Sequence, residues 1–295
     1  MARNLVTVPL ATLQFLRNLR VADVDLFNTL MRGSIGGYGR LFGDLHPLIS
    51  LTLLSLAVGI AMLWVVARTS NQKAIEQTKK RLQAYLLEMR LYGDDLSLVA
   101  RSQKNLLFGN LRYMALMLKP ALYLTVPFVI LMIHMDGFYG WAPLPVGEEA
   151  VITVQTASIL DANSPAPRLE APPGIVVETP AVRALRAGQF SWRIRPQQPT
   201  DGLLQFDWNG TRFEKTITAG TGWHYLSIRR VRSAWEALWN PGENRLDAAN
   251  VEWVEASYPS ATIDFLGFEQ HWIIWFLVIS IVSAYLLKGY FNVVI

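Results

Sequence analysis

The segment LISLTLLSLAVGIAMLWVV, residues 48–66, runs for nineteen residues without a charge. A helix needs roughly 20 mostly apolar residues to cross the hydrocarbon core of a bilayer, so this run reads as a membrane span. Residues 113–135 form a second such run, broken only by Lys119, and 272–287 form a third, extended by an apolar tail after Lys288. The spacing predicts transmembrane helices over 47–68, 112–136 and 271–290. Composition agrees, because 52% hydrophobic and 17% charged residues is too apolar for a disordered chain or an ordinary soluble domain. Several of the ten tryptophans sit at the ends of apolar runs, where the bilayer interface favours them. A net charge of +4 gives no nucleic-acid footprint. The absence of cysteine excludes disulfides, thiolate zinc sites and thiol catalysis. The first twenty residues lack the apolar core and small-residue cleavage site of a signal peptide.

Charge sets the expected orientation. Residues 68–112 carry nine Lys or Arg against four acids, whereas 136–271 carry eleven basic and sixteen acidic residues. Cytoplasmic loops hold the excess of Lys and Arg, so 68–112 reads as cytoplasmic and 136–271 follows outside by alternation. The N-terminus is then extracytoplasmic, the C-terminus cytoplasmic, and the membrane the cytoplasmic (inner) one.

Residues 1–46 read as an amphipathic interfacial segment. Leu10, Leu13 and Leu16 share one face; Val24, Phe27 and Met31 share another after a break near Asp23, which suits an N-cap. The five glycines of RGSIGGYGRLFG, 32–43, then read as a flexible connection. Such a helix can lie in the headgroup plane or pack on a partner subunit. Residues 69–111 read as an antiparallel helical hairpin. Ile75, Thr78, Leu82, Tyr85 and Met89 make an amphipathic stripe, Gly93 stops the first arm, Asp94 or Asp95 caps the second, and Leu98, Val99, Leu106 and Leu107 face back. Its basic outer face, with Lys79, Lys80, Arg81 and Arg90, can meet anionic headgroups, a ribosome or an emerging chain, or simply be solvated.

Between the second and third spans the period changes. Short β-rich runs separated by Pro, Gly, Asn and Asp fill 145–264, with Phe190, Trp192 and Ile194 alternating onto one face. Asn209-Gly210 between two such runs is a strong hairpin signal, which also explains the residues of the Asn-Gly-Thr sequon. SAWEALWNPGE, 233–243, reads as a short helix before a turn. The pattern predicts an immunoglobulin-like antiparallel β-sandwich. The fold class is therefore membrane α plus β. Catalysis is not expected: His46, His134, His224 and His271 are scattered, and no phosphate loop, nucleophile elbow, metal set or cofactor motif is present.

The segments FNTLMRGS…ISLTLLSLAVGIAMLWVVARTSNQKAIEQ, MRLYGDDLSLVARSQKNLL and LKPALYLTVPF together resemble the YidC/Oxa/EMC insertase superfamily. The first is similar to that family's first core helix entering its cytoplasmic hairpin, the second to the hairpin turn and return, the third to a proline-bearing core helix. The resemblance covers residues 20–135 and, more loosely, the last span; three spans match the short archaeal YidC-like and EMC-type members. It implies a hydrated groove open to cytoplasm and lipid. Family members often carry a basic residue in the first core helix; here that span offers only Ser50, Thr52 and Ser55. The outer domain of more than a hundred residues is a second departure.

Lys119 then becomes the candidate groove cation, with Ser55 and Thr125 as further groove candidates and Pro120 and Pro127 as kinks whose freed carbonyls can line a cavity. The competing reading is a lysine that snorkels to the headgroups along its stem. The expected function is assistance in inserting, folding or assembling membrane-protein clients, without a cofactor. The alternative is a structural scaffold subunit whose outer domain binds partner proteins. No nucleic acid is expected as a partner apart from ribosome contact, and self-association into an oligomer is compatible with either role.

Overall fold

The computed structural model describes residues 21–42, 46–158, 160–161, 164–265 and 267–291. Leu10, Leu13 and Leu16 lie outside the described residues. Contacts divide the chain into two compact units, Leu48–Leu131 with Asp264–Ile295, and Met1–Pro47 with Met132–Ile263.

The first unit is helical. It contains α2 (Pro47–Thr69), α3 (Gln72–Leu91), most of α4 (Leu96–Tyr139) and α6 (Trp272–Leu287). Leu51, Ser55, Gly59 and Leu63 form the buried stripe of α2 at steps of four. Gly59 is needed there: a Cβ would stand 2.6 Å from Ser283 Oγ and 3.5 Å from the Ser280 carbonyl of α6. Close approach of two backbones at a small residue is how helices pack where lipid supplies no hydrophobic drive. The opposite side of α2 exposes Leu53, Leu56, Ile60 and Trp64. Asn71 caps α3, its side chain accepting from Ala74 N–H at 3.1 Å, and Asp95 caps α4 by accepting from Ser97 and Leu98 N–H at 2.9 and 3.2 Å. Ser102 Oγ donates to Glu88 at 2.8 Å, and Gly109 lies against Leu82. These contacts hold α3 and the start of α4 as the expected antiparallel hairpin.

No helix break marks the 111/112 position between the expected hairpin and the expected span. Helix α4 runs unbroken for 44 residues, about 66 Å at 1.5 Å per residue, because no breaker lies between the arm and the apolar stretch. Its backbone also stays helical through Pro120 and Pro127. Both α2 and α4 contain a stretch long and apolar enough to cross a membrane; α6 is apolar over 16 residues. Only 6% of the most apolar part of α4 is buried. A soluble core helix would bury such a surface, since exposed apolar area is unfavourable in water by about 25 cal/mol per Å².

The second unit is built on antiparallel sheets. One sheet orders β3 (Ile175–Val177), β5 (Gln189–Pro196), β1 (Ala150–Thr156), β9 (Val251–Ala256) and β8 (Arg229–Val231), with β4 (Val182–Ala184) also pairing β5. A second orders β2 (Arg168–Glu170), β6 (Thr200–Trp208) and β7 (Thr211–Ala219). A separate hairpin of β10 (Ile263–Phe265) and β11 (Phe268–Gln270) precedes α6. Phe190, Trp192 and Ile194 are buried, as their alternation predicts, and share one core with Leu204, Phe206, Phe213 and Ile217 of the smaller sheet. Edge-to-face contacts of Phe190 with Trp208 and Trp192 with Phe206 join the two faces. The Asn209-Gly210 turn is two residues long, with Trp208 paired to Thr211 and φ of 52° and 79°, the positive pair a tight hairpin needs.

Helix α1 (Val21–Phe42) corrects two expectations. Asp23 lies inside it, not at a cap, and the glycine run is helical, not a flexible connection. The glycines are tolerated because one face of α1 is held by the β domain and one by helix α4: a Cβ on Gly39 would meet Phe138 at 3.0 Å. One side of the helix packs on its own chain. Val24 enters a cluster with Val231 and Ala237, the latter on the short helix α5 (Ala234–Trp239). Asn28 donates to the Ala237 carbonyl at 2.8 Å, Asp25 pairs with Arg245 at 2.9 Å, and Arg32 reaches Asn244 at 2.5 Å.

Candidate functional site

Between α2, α4 and α6 lies an open cleft of about 450 Å³. Gly59, Leu63, Leu124, Phe128, Phe276 and Ile281 line it, with Thr125 and Ser280 supplying hydroxyls and no charged side chain among the lining residues. The small side chains follow from the helix packing: where α2 and α6 touch at Gly59 and Ser283, α4 stands off, held by Phe128 against Phe276 with ring centroids 6.1 Å apart. Thr125 Oγ1 donates to the Ala121 carbonyl at 2.8 Å. Ser280 Oγ is buried with no hydrogen-bond partner among the described residues.

Thr125 is the one expected groove residue in this cleft. Ser55 is buried and donates to its own helix at Leu51 O, 2.7 Å away. Lys119 is not in the cleft. At about 100° per residue it points some 180° from Phe128, the centre of the cleft face, and it is exposed beside Ala115, Leu118, Leu122 and Tyr123. The carbonyls freed by Pro120 and Pro127, those of Leu116 and Tyr123, fall on the Lys119 side by the same count. The cleft is thus uncharged, and Lys119 lines a separate open hollow with Ala115, Leu118, Leu122 and Tyr123. Half a turn of rotation about the helix axis separates Lys119 from the residues that face α2 and α6. Lys119 stands beside exposed Leu118, Leu122 and Tyr123, where a long aliphatic stem can lie along apolar surroundings. Lys79, Lys80, Arg81 and Arg90 are exposed on α3, with Lys80 paired to Glu76 at 2.7 Å.

Sequence reading missed a polar cluster in the β domain. Lys215 on β7 is 0% exposed and forms an ion pair with Glu243, whose side chain is 8% exposed. Lys215 also donates to the Ser227 carbonyl. Glu243 accepts from Thr216 N–H at 3.2 Å and Thr216 Oγ1 at 2.6 Å. Burial holds the Lys215 ammonium below the ordinary lysine range, opposed by Glu243. Burial pushes Glu243 up, but the Lys215 charge and the donors around it outweigh that and leave its carboxyl below the usual range. Perturbed pairs often mark active sites. Here the geometry has another explanation. β7 is an edge strand, and its outward backbone groups need partners. Arg230 donates to Glu214 O, Glu243 takes Thr216 N–H, and Tyr258 Oη takes Thr218 N–H at 3.0 Å. The cluster caps an edge. The only sequence signal is Lys215 at an inward position of an alternating strand.

Comparison with protein-family models, with curated proteins and with solved structures returns no match for this chain.

Proposed function

We propose that this chain is an integral membrane protein that assists the folding or assembly of other membrane proteins by holding an apolar transmembrane segment in the cleft of α2, α4 and α6. The hairpin of α3 and α4 stands in the cytoplasm, and the two-sheet domain, an immunoglobulin-like sandwich, stands outside the cytoplasmic membrane and meets partner proteins. The observation that carries this reading is the uncharged three-helix cleft, open at its side, with Thr125 and the unpaired Ser280 hydroxyl within it. In lipid, helices associate through close packing and interhelical hydrogen bonds, and small residues with hydroxyls supply both. Client helices would enter sideways from the bilayer, without ATP or cofactor. The likeness to the YidC/Oxa/EMC superfamily supports the same class of work, with packing in place of a hydrated path.

Filling the cleft tests it. Ala121→Phe, at an exposed cleft position, is expected to reduce assembly of multi-span clients in cells while leaving the protein's own abundance unchanged. Normal assembly at normal abundance would count against it. A second reading, a scaffold subunit of a larger complex, is favoured by the absence of Lys119 from the cleft. In that case depletion leaves client insertion intact and dissociates the complex.

A further inference from the structure

Helix α1 is amphipathic in the reverse sense of a soluble helix. Its described charged and amide side chains turn inward: Asp25 to Arg245, Asn28 to Ala237, Arg32 to Asn244 and the Gly242 carbonyl. Val24 and Ile35 are buried on the same inner side, while three leucines turn outward. Leu26, Leu30 and Leu41 are 61%, 63% and 77% exposed and, at about 100° per residue, fall within some 60° of one another on the side away from Asn28 and Ile35. Two hydroxyls on its flanks bond back to their own helix: Thr29 Oγ1 donates to Asp25 O at 2.7 Å and accepts from Arg32 at 3.0 Å, and Ser34 Oγ donates to Leu30 O at 3.0 Å.

Two observations say what lies against that face. The inner side of α1 is packed on the last turns of the apolar helix α4: Phe27 edge-on to His134, Gly39 against Phe138, and Tyr38 Oη 2.8 Å from Tyr139 Oη. Helix α1 also ends at Phe42, five residues before Pro47 opens α2, a reach of at most about 18 Å of extended chain. It is thus tied at one side to the exit of one span and at its end to the entry of another. We infer that α1 lies in the headgroup–acyl boundary of the outer leaflet, with Leu26, Leu30 and Leu41 immersed in lipid and the β domain resting on its polar side. The bilayer is the occupant of this face. An interfacial helix with its apolar side a few ångströms into the boundary fits these residues. The inference rests on the membrane-spanning reading of α2 and α4.

The chain has no cysteine, so single cysteines can be placed and spin-labelled without background. The full chain, in vesicles of neutral phosphatidylcholine, is labelled at Leu30→Cys or Leu41→Cys, with Leu53→Cys on exposed α2 and Arg212→Cys at the β-hairpin tip as references. Collisions with lipid-soluble oxygen and water-soluble nickel chelate are compared. The inference expects oxygen-dominated collisions at 30 and 41, several-fold above the 212 label and approaching the 53 label. Water-like collisions at 30 and 41, with 53 still lipid-like, would overturn it and leave the spanning reading intact. Water-like collisions at 53 would remove both. Shielding of 30 and 41 from both reagents, with dipolar broadening between labels, would overturn it in favour of a second copy of the chain. All labelled sites are exposed, so folding is not at stake, and unchanged near-ultraviolet circular dichroism checks this.

Discussion

Removing the Glu243 carboxylate should strand a buried ammonium. Lys215 is 0% exposed and its ion-pair partner is Glu243. Breaking a buried pair by deleting one partner destabilises by about 3–5 kcal/mol, since the remaining charge stays without compensation. Glu243→Ala also frees Thr216 N–H on the edge strand. At about 4 °C of Tm per kcal/mol, between the values for smaller and larger domains, the melting of the β domain should fall by about 12–20 °C. Near-ultraviolet circular dichroism of the full chain in nanodiscs reads this, because Trp192 and Trp208 lie in the domain core. The double variant Lys215→Met/Glu243→Leu should recover most of the loss, because a well-packed apolar pair has no charge to desolvate. A drop below about 4 °C for Glu243→Ala, roughly 1 kcal/mol, would refute the reasoning. The same pair sets an acid limb. The folded Glu243 carboxyl lies below its ordinary value of 4.5, so the folded state holds its proton less tightly than the unfolded chain. Its stabilisation is complete above 4.5 and is lost as pH falls through the lower folded value. Glu243→Gln should flatten that limb.

Three other substitutions probe other parts of the account. Gly59→Val places methyls where Ser283 Oγ stands 2.6 Å from the first added carbon, and should loosen α2 from α6 by about 1–3 kcal/mol, read as a lower denaturation midpoint in mixed micelles. Lys119→Leu, on the face opposite the cleft, should leave client assembly unchanged; a strong defect would restore the hydrated-groove reading. Asn209→Ala forces a Cβ residue of low αL tolerance to φ 52° and should destabilise the β domain by about 1 kcal/mol, whereas Asn209→Gly should be near neutral by the same melting assay.

Elements governed by local pattern were legible before the structure. Nineteen uncharged residues announced α2, Asn209-Gly210 announced the β6–β7 turn, and the Asp94-Asp95 pair announced the start of α4, where Asp95 is the cap. Alternation at Phe190, Trp192 and Ile194 identified the core face. Elements fixed by distant partners were not legible. The helix α1 is held by contacts with residues about a hundred or more positions away, Gly39 with Phe138 and Asn28 with Ala237. Strands of three residues, such as β2 and β4, carry too few side chains to show a period. Lys119 lies outside the three-helix cleft for a rotational reason. Sequence placed Lys119 at a plausible depth, but which side of α4 faces α2 and α6 depends on Gly59, Ser283 and Phe276, which no local rule couples to Lys119. The Lys215–Glu243 pair joins strand and loop 28 positions apart, and neither residue looks unusual in its own segment.

The most direct measurement is photo-cross-linking during membrane-protein synthesis into vesicles that contain the full chain. A benzophenone amino acid is placed at Leu124, in the cleft, or at Leu118, beside Lys119 and about 120° round the same helix from Leu124. Adducts to newly made transmembrane segments from position 124, and far fewer from 118, are the predicted result. Adducts favouring 118, or none from 124 while clients assemble normally, would contradict the claim that the uncharged cleft receives them.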